Sequence, residues 1–306
     1  MRFGRVALGA VLVAALVCGG SGVDGAAVPK PGSGAEAALP PSTEPERAPA
    51  PRRLDAKRLD RGLKRYLAGR VSGASIMVVD RTTGQSYGFR RNERFVTASV
   101  AKLDILMTLL LRRRKAGREL SADERYDAGI MIRESDNKSA DRTFVRAGSA
   151  TGVNTANRRS FGMKDTVAID ASCLDLLCWS LTSTTAADQV RLLKRLFTGP
   201  LDAADRAYVL RLMRTVIEEQ RWGVSAGALD GDTVYNKNGW MTHQRDGDRW
   251  AVNSVGRIEG HGHDLLVAVM TNHNPSMGYG ITTAEHLVRE VADAFRATTA
   301  PTHPSP

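Results

Sequence analysis

The chain has 306 residues, 42% of them hydrophobic and 25% charged, so it can build a sizeable core in one or two domains. A formal net charge of +10 raises nucleic acid as a partner, yet the chain carries no helix-turn-helix pattern, zinc-finger spacing or RNP motif. Anionic cell-wall polymers suit the same charge, and nucleic acid is not expected as a partner.

The first residues read as an export signal. Arg2 and Arg5 form a charged start, Val6 to Val17 are nearly all apolar, and Gly25-Ala26-Ala27 offers a cleavage site. The apolar run is too short for a comfortable membrane span, and no later segment is long and apolar enough for one. Cys18 follows Ala15-Leu16-Val17, and valine fits poorly where a lipoprotein signal wants a small residue. Secretion to the cell-wall region by cleavage therefore ranks above lipid attachment at Cys18. Residues 28–52, rich in Pro, Ala, Gly, Ser and Glu, read as a disordered linker. The expected organisation is a signal peptide over 1–27, the linker over 28–52, one folded domain over 53–297 and a disordered tail over 298–306.

Leu59, Leu63, Tyr66 and Leu67 recur at helical spacing and predict an amphipathic helix over 54–68. Ser75 to Val79 reads as a strand, Arg81 to Gln85 as a turn and Ser86 to Arg90 as the return strand. From Ser99 to Arg114 the pattern is helical, with Leu103, Leu106, Leu109 and Leu110 as its core stripe. The basic run Arg112-Arg113-Arg114-Lys115 closes that helix, where cations suit the dipole. Short helices are expected over 127–134 and 139–147, irregular chain over 167–183, a helix from Thr184 and another over 203–220. Strands are expected over 233–240, 249–257 and 265–271, with turns at Gly247 and Gly260-His261-Gly262, and a closing helix over 281–296.

This order predicts an α+β fold with one five-stranded antiparallel sheet built from both chain ends. The terminal helices cover one face and the helical block the other. The lack of alternating βα units argues against a parallel sheet. Cys173 and Cys178 are close enough for a short-loop disulfide in an oxidising compartment, or are two buried free thiols. No residue set reads as a metal or cofactor site. His261 and His263 read as exposed turn residues.

Chemistry concentrates in three short motifs. Ser99 and Lys102 lie three apart at the start of an apolar helix, so they share one face. A neutral lysine amine there can take the serine proton and create a nucleophile for acyl transfer. Ser135-Asp136-Asn137 and Lys237-Asn238-Gly239 follow in order. Taken singly, Ser99 also reads as a helix cap, the second motif as a turn or cap cluster, and the third as a hairpin turn.

Together the three motifs resemble S-x-x-K, S-D-N and K-T-G of the serine β-lactamase and penicillin-binding protein superfamily, specifically class A-like enzymes. The resemblance spans roughly residues 54–297, and the element order fits that fold. It implies an exported serine hydrolase that acylates Ser99 with a β-lactam or a related amide or ester. A D,D-peptidase-like enzyme acting on peptidoglycan-derived peptides, and a slowly acylating binding or sensor protein, are the alternatives. The resemblance implies that the backbone N–H groups of Ser99 and Trp240 form the oxyanion hole. Lys102 is then the base, made neutral by burial and by the charge of Lys237. Ser135 relays a proton to the leaving nitrogen, and Asn137 holds the Lys102 amine or the substrate amide. Lys237 and Asn238 bind a substrate carboxylate, with Gly239 and Trp240 continuing the substrate-binding edge.

Three departures from the family pattern stand out. Asn238 replaces Thr or Ser, and bulky Trp240 follows the glycine. No Glu lies between Val167 and Thr185, where class A enzymes carry the residue that activates the deacylating water; Asp170 and Asp175 are the carboxylates there. The segment from Ser99 to Ser135 looks short, which trims the helical block.

Overall fold

The computed structural model describes residues 53–173, 176–243 and 246–298. The expected signal peptide with Cys18, the linker, Asp175 and the tail from residue 299 lie outside the described residues. Asp55 caps α1 (Ala56–Ala68) by accepting from Arg58 N at 2.9 Å, and Leu59, Leu63 and Leu67 form its buried stripe. The hairpin of β1 (Gly73–Asp80) and β2 (Ser86–Phe89) follows, then the short β3 (Phe95–Val96).

A 3-10 turn over Ala98–Val100 opens α2 (Ala101–Lys115). A single leucine stripe was the expectation, but every residue from Ala101 to Leu111 is buried. The reason is position: α2 runs through the middle of the helical block and is packed on all sides. Its basic end is held by ion pairs from Arg113 to Glu124 and from Arg114 to Asp205.

The block continues with α3 (Ala122–Arg133), opened by a capping box between Ser121 and Glu124, α4 (Asn137–Arg146) and α5 (Ser149–Ala156). The sequence pattern did not predict α5, which starts at Gly148 with φ of 95° and runs into a π turn over Asn157–Phe161. The irregular stretch holds β4 (Ser172–Cys173), β5 (Leu176–Leu177), a 3-10 turn over Cys178–Leu181 and β6 (Ser183–Thr184). Cys178 is disulfide-bonded, which removes the free-thiol alternative for it.

Helix α6 (Ala186–Thr198) is capped by Thr185, and α7 (Ala203–Arg214) by Asp202. The helix expected over 203–220 therefore ends early. Thr215-Val216-Ile217 is a β-branched run, which disfavours helix, and Ile217 N donates instead to Arg133 O at 3.1 Å. A 3-10 turn over Glu218–Gln220 takes its place.

Three long strands, β7 (Thr233–His243), β8 (Arg249–Gly260) and β9 (His263–Asn274), precede α8 (Met277–Arg296). The five-stranded sheet has the order β2-β1-β9-β8-β7, with every pairing antiparallel. Both of its faces are buried, so β9 reads as the continuous apolar run Leu265 to Met270. Val267 and Val269 pack with α1 and α8, while Ala268 and Met270 pack with the helical block. One expectation about the β8–β9 turn needs correction. His263 is buried and its Nδ1 lies 2.8 Å from Asp80 Oδ2, while His261 Nδ1 lies 2.7 Å from Asp232 Oδ1. Neither carboxylate is near in sequence, so only the sheet register brings them together.

Candidate active site

The start of α2 is clamped from two directions. Asn253 on β8 donates through Nδ2 to Val96 O at 2.9 Å and Thr97 O at 3.1 Å, and its Oδ1 accepts from Thr271 N at 3.1 Å. Thr97 N donates to Thr182 O at 2.8 Å, tying the same turn to the stretch before α6. The chain then bends through Ala98 at φ of 47°, a left-handed conformation that an alanine adopts only under constraint. Ser99 follows, partly exposed at the first turn.

Strand β7 meets this turn at Gly239. A Cβ there would sit 2.6 Å from Ser99 N, 2.7 Å from Val100 N and 2.8 Å from Thr97 O. All three are backbone atoms that cannot give way, so the contact requires glycine. It also sets the backbone of Trp240, one residue on, beside Ser99.

Lys102 is fully buried. Its Nζ donates to Ser135 O at 2.5 Å, Ser135 Oγ at 3.0 Å and Asn137 Oδ1 at 2.8 Å. Burial lowers its pKa to about 7, against an opposing pull from Asp136 and Asp141. Ser99 Oγ is not among the three acceptors; three donated hydrogens belong to the charged amine, so Lys102 must first lose one proton, freeing its lone pair, before it can take the proton of Ser99.

Lys237 is also fully buried, and its Nζ donates to Ser135 Oγ and Asn238 O, both at 2.9 Å, and to Gln220 Oε1 at 3.4 Å. Burial, then the charge of Lys102, holds its pKa well below the usual lysine value. Two buried amines facing one hydroxyl oxygen do not both stay charged. Ser135 Oγ accepts from both, which leaves its own hydrogen for a third partner. Ser135 holds this place at φ of 63°, and Asp136 caps α4 by accepting from Ser139 N at 2.6 Å. The motif is both a helix cap and the bridge between the lysines.

The structure thus brings Ser99, Lys102, Ser135, Asn137, Lys237 and Gly239 together. Asn238 is different. Its Nδ2 donates to Gln220 O at 2.7 Å and Trp222 O at 3.1 Å, its Oδ1 accepts from Ser254 Oγ at 2.6 Å, and it is fully buried. Both amide donors are taken, so none is left for a substrate carboxylate. Trp240, half-buried, meets the edge of Trp222 at 5.9 Å between ring centroids.

Asp170 is exposed and accepts from Ala150 N at 2.8 Å, facing α5. What the 177–179 stretch presents to Lys102 is an aromatic ring, with the Trp179 centroid 4.8 Å from Lys102 Nζ. Asp141 holds that ring: its Oδ1 accepts from Trp179 Nε1 at 2.6 Å and Leu177 N at 3.2 Å. Sequence reasoning missed Asp141, Trp179, Gln220 and Asn253. Asp141 alone had a signal, lying four residues after Asn137 on one helix face.

Comparison with known proteins bears on the fold and the family. Lipoproteins named "Putative lipoprotein LppW" from Mycobacterium tuberculosis and Mycobacterium bovis are 33% identical over 175 residues, 55% of this chain and 54% of theirs. The chain spans about half the length of these curated relatives. Among solved structures, PBP-A, one form of it an acyl-enzyme complex with penicillin G, superposes with a TM-score of 0.67 at 20% identity, covering 81% of this chain and 99% of that one. A class A β-lactamase from Mycobacterium abscessus superposes with a TM-score of 0.65 at 21% identity, covering 78% and 99% of the two chains. These likenesses show the fold. The model of the β-lactamase enzyme family matches residues 128–298, more than half of the chain, and the chain belongs to that family.

Proposed function

We propose that the protein is a serine acyl-transfer enzyme that forms an ester between Ser99 and a β-lactam or a related amide or ester. The observation that carries this reading is the Lys102–Ser135–Lys237 relay, two fully buried amines joined through one hydroxyl at the first turn of α2. Ser99 Oγ attacks the carbonyl carbon while neutral Lys102 takes its proton. The N–H groups of Ser99 and Trp240 meet the developing oxyanion, and the positive end of α2 favours it. Ser135 passes a proton to the leaving atom, and Lys237 and Asn137 keep the relay in register.

A second reading concerns turnover. The residues nearest Lys102 on the 177–179 stretch include no carboxylate, and Trp179 lies there instead. Among the described residues of that stretch no carboxylate is positioned to activate water, and on this reading the Ser99 ester is long-lived, as suits a penicillin-binding or sensing protein.

The lipoprotein name of the mycobacterial relatives supports export. Cleavage near Gly25-Ala26-Ala27 and lipid attachment at Cys18 give different N-terminal masses, which mass spectrometry of the native protein separates.

The test is intact-mass spectrometry of the purified protein with a fluorescent penicillin, a chromogenic cephalosporin and an activated aryl ester. A single adduct is expected on Ser99, absent in Ser99→Ala and slow to disappear. No adduct with any reagent, or one that persists in Ser99→Ala, overturns the acyl-transfer reading. Rapid turnover at Ser99 overturns only the slow-release reading.

A further inference from the structure

We propose that Asn253 is a positioning residue for Ser99: it holds the left-handed backbone of Ala98 in place and so keeps the Ser99 N–H aimed at the developing oxyanion. This rests on the acyl-transfer reading above.

Asn253 and Gly239 stand directly opposite each other on β8 and β7. Both meet the nucleophile turn at the same atom. A Cβ on Gly239 would lie 2.8 Å from Thr97 O, and Asn253 Nδ2 donates to that oxygen at 3.1 Å. One member of the pair lacks a side chain and admits the turn; the other supplies a side chain and holds it. The hold is directional. Asn253 is fully buried, and its Oδ1 accepts from Thr271 N at 3.1 Å. A backbone N–H only donates, so the amide has one orientation, with Nδ2 toward the turn. The β8–β9 register shifts between Trp250 and Val252, just before Asn253, and such irregularities re-aim strand side chains.

Nδ2 reaches two consecutive carbonyls, Val96 O at 2.9 Å and Thr97 O. The Val96–Thr97 peptide is thus held at both ends, because Thr97 N donates to Thr182 O at 2.8 Å. The Thr97–Ala98 peptide has its oxygen on Asn253 and on Val100 N, the latter at 3.3 Å. Ala98 is the next link, buried and at φ of 47°. Left-handed backbone is unfavourable for a residue with a Cβ and persists only where its surroundings impose it. Ser99 follows directly, so relaxation of Ala98 turns the Ser99 N–H away from its place.

In the step concerned, Ser99 Oγ bonds to the carbonyl carbon, the carbonyl oxygen takes the π electron pair, and the serine proton goes to Lys102. The full charge on that oxygen exists only after attack, so a misaimed N–H lowers the maximal rate more than it weakens reagent binding. The test is a double-mutant cycle of Asn253→Ala and Ala98→Gly in the full-length protein. Acylation by a fluorescent penicillin, a chromogenic cephalosporin and an activated aryl ester is followed by intact mass at rising concentration and across pH. Asn253→Ala is expected to lower the maximal rate about 100-fold, with the half-saturating concentration within about 3-fold and the pH midpoint unmoved. On the Ala98→Gly background the same substitution is expected to cost about 10-fold or less, because glycine takes a positive φ without strain. Asn253→Asp keeps the shape and the bond from Thr271 N, and it replaces Asn253→Ala in the cycle if that variant does not melt cooperatively, with the same pattern expected. An unchanged maximal rate, a loss that lies in the half-saturating concentration or in the pH midpoint, or an equal loss on both backgrounds overturns this inference alone. No Ser99 adduct on the unsubstituted protein from any of the three reagents overturns the acyl-transfer reading and this inference with it.

Discussion

Lys102 is the residue on which the chemistry turns, and its protonation sets a pH dependence. The active form is the neutral amine, and burial lowers its pKa to about 7. Acylation of Ser99 is therefore expected to fall as pH drops through 7 and to level off above it. Stability moves the same way: between about 7 and 10.5 the unfolded chain binds the proton that the folded chain lacks, so stability rises with pH across that window. Asp141 opposes the burial effect and holds Trp179 over the amine. Asp141→Ala is expected to move the midpoint of the acylation profile downward and to slow acylation by about 10-fold through the loosened ring. A slower variant with an unmoved midpoint assigns Asp141 a purely structural part. None of this was legible from spacing. The Ser99–Lys102 interval showed which two groups share a face, but the depth of burial, Ser135 as bridge and Trp179 as lid depend on residues far away in the chain.

Among the elements, β7 and the first turn of α2 form the contact that assembles the site. The sequence marked Lys237-Asn238-Gly239 as a unit, yet strand alternation gives its members opposite fates. Lys237 and Gly239 face the nucleophile turn, while Asn238 faces Gln220, Trp222 and Ser254. Gly239→Ala places a methyl group against three backbone atoms, so the strand or the turn has to shift. Overpacking of this kind costs about 1–3 kcal/mol, and the displacement of Ser99 is expected to reduce acylation by about 100-fold. Thermal melting and the adduct assay check the two parts; a variant with unchanged acylation removes Gly239 from the argument. The elements that the sequence misread have local causes. The β-branched run Thr215-Val216-Ile217 stopped α7 short, and α5, which buries only Ala150, Val153 and Ala156, lacks a strong apolar stripe.

For the whole molecule, the described residues belong to one compact unit in which α1 and α8 cover the sheet face opposite the site. Limited proteolysis is expected to cut within residues 28–52 and leave a fragment starting near residue 53 that still melts cooperatively and still acylates at Ser99. Early cleavage inside the described fold, or a fragment without a transition, contradicts that boundary. The sequence by itself determined the order of the sheet strands and of the helices other than α5, the antiparallel sheet from both chain ends and the three motifs. Apolar periodicity, turn residues and short spacing are local properties, and these features follow from them. Only the tertiary structure decided how the motifs meet: Lys102 and Lys237 sharing Ser135, Asn238 turned away, Trp179 over Lys102, and His263 on Asp80. Those contacts join residues from 18 to 183 positions apart. Burial and hydrogen-bond partners at such separations arise from packing and register, which no local pattern encodes.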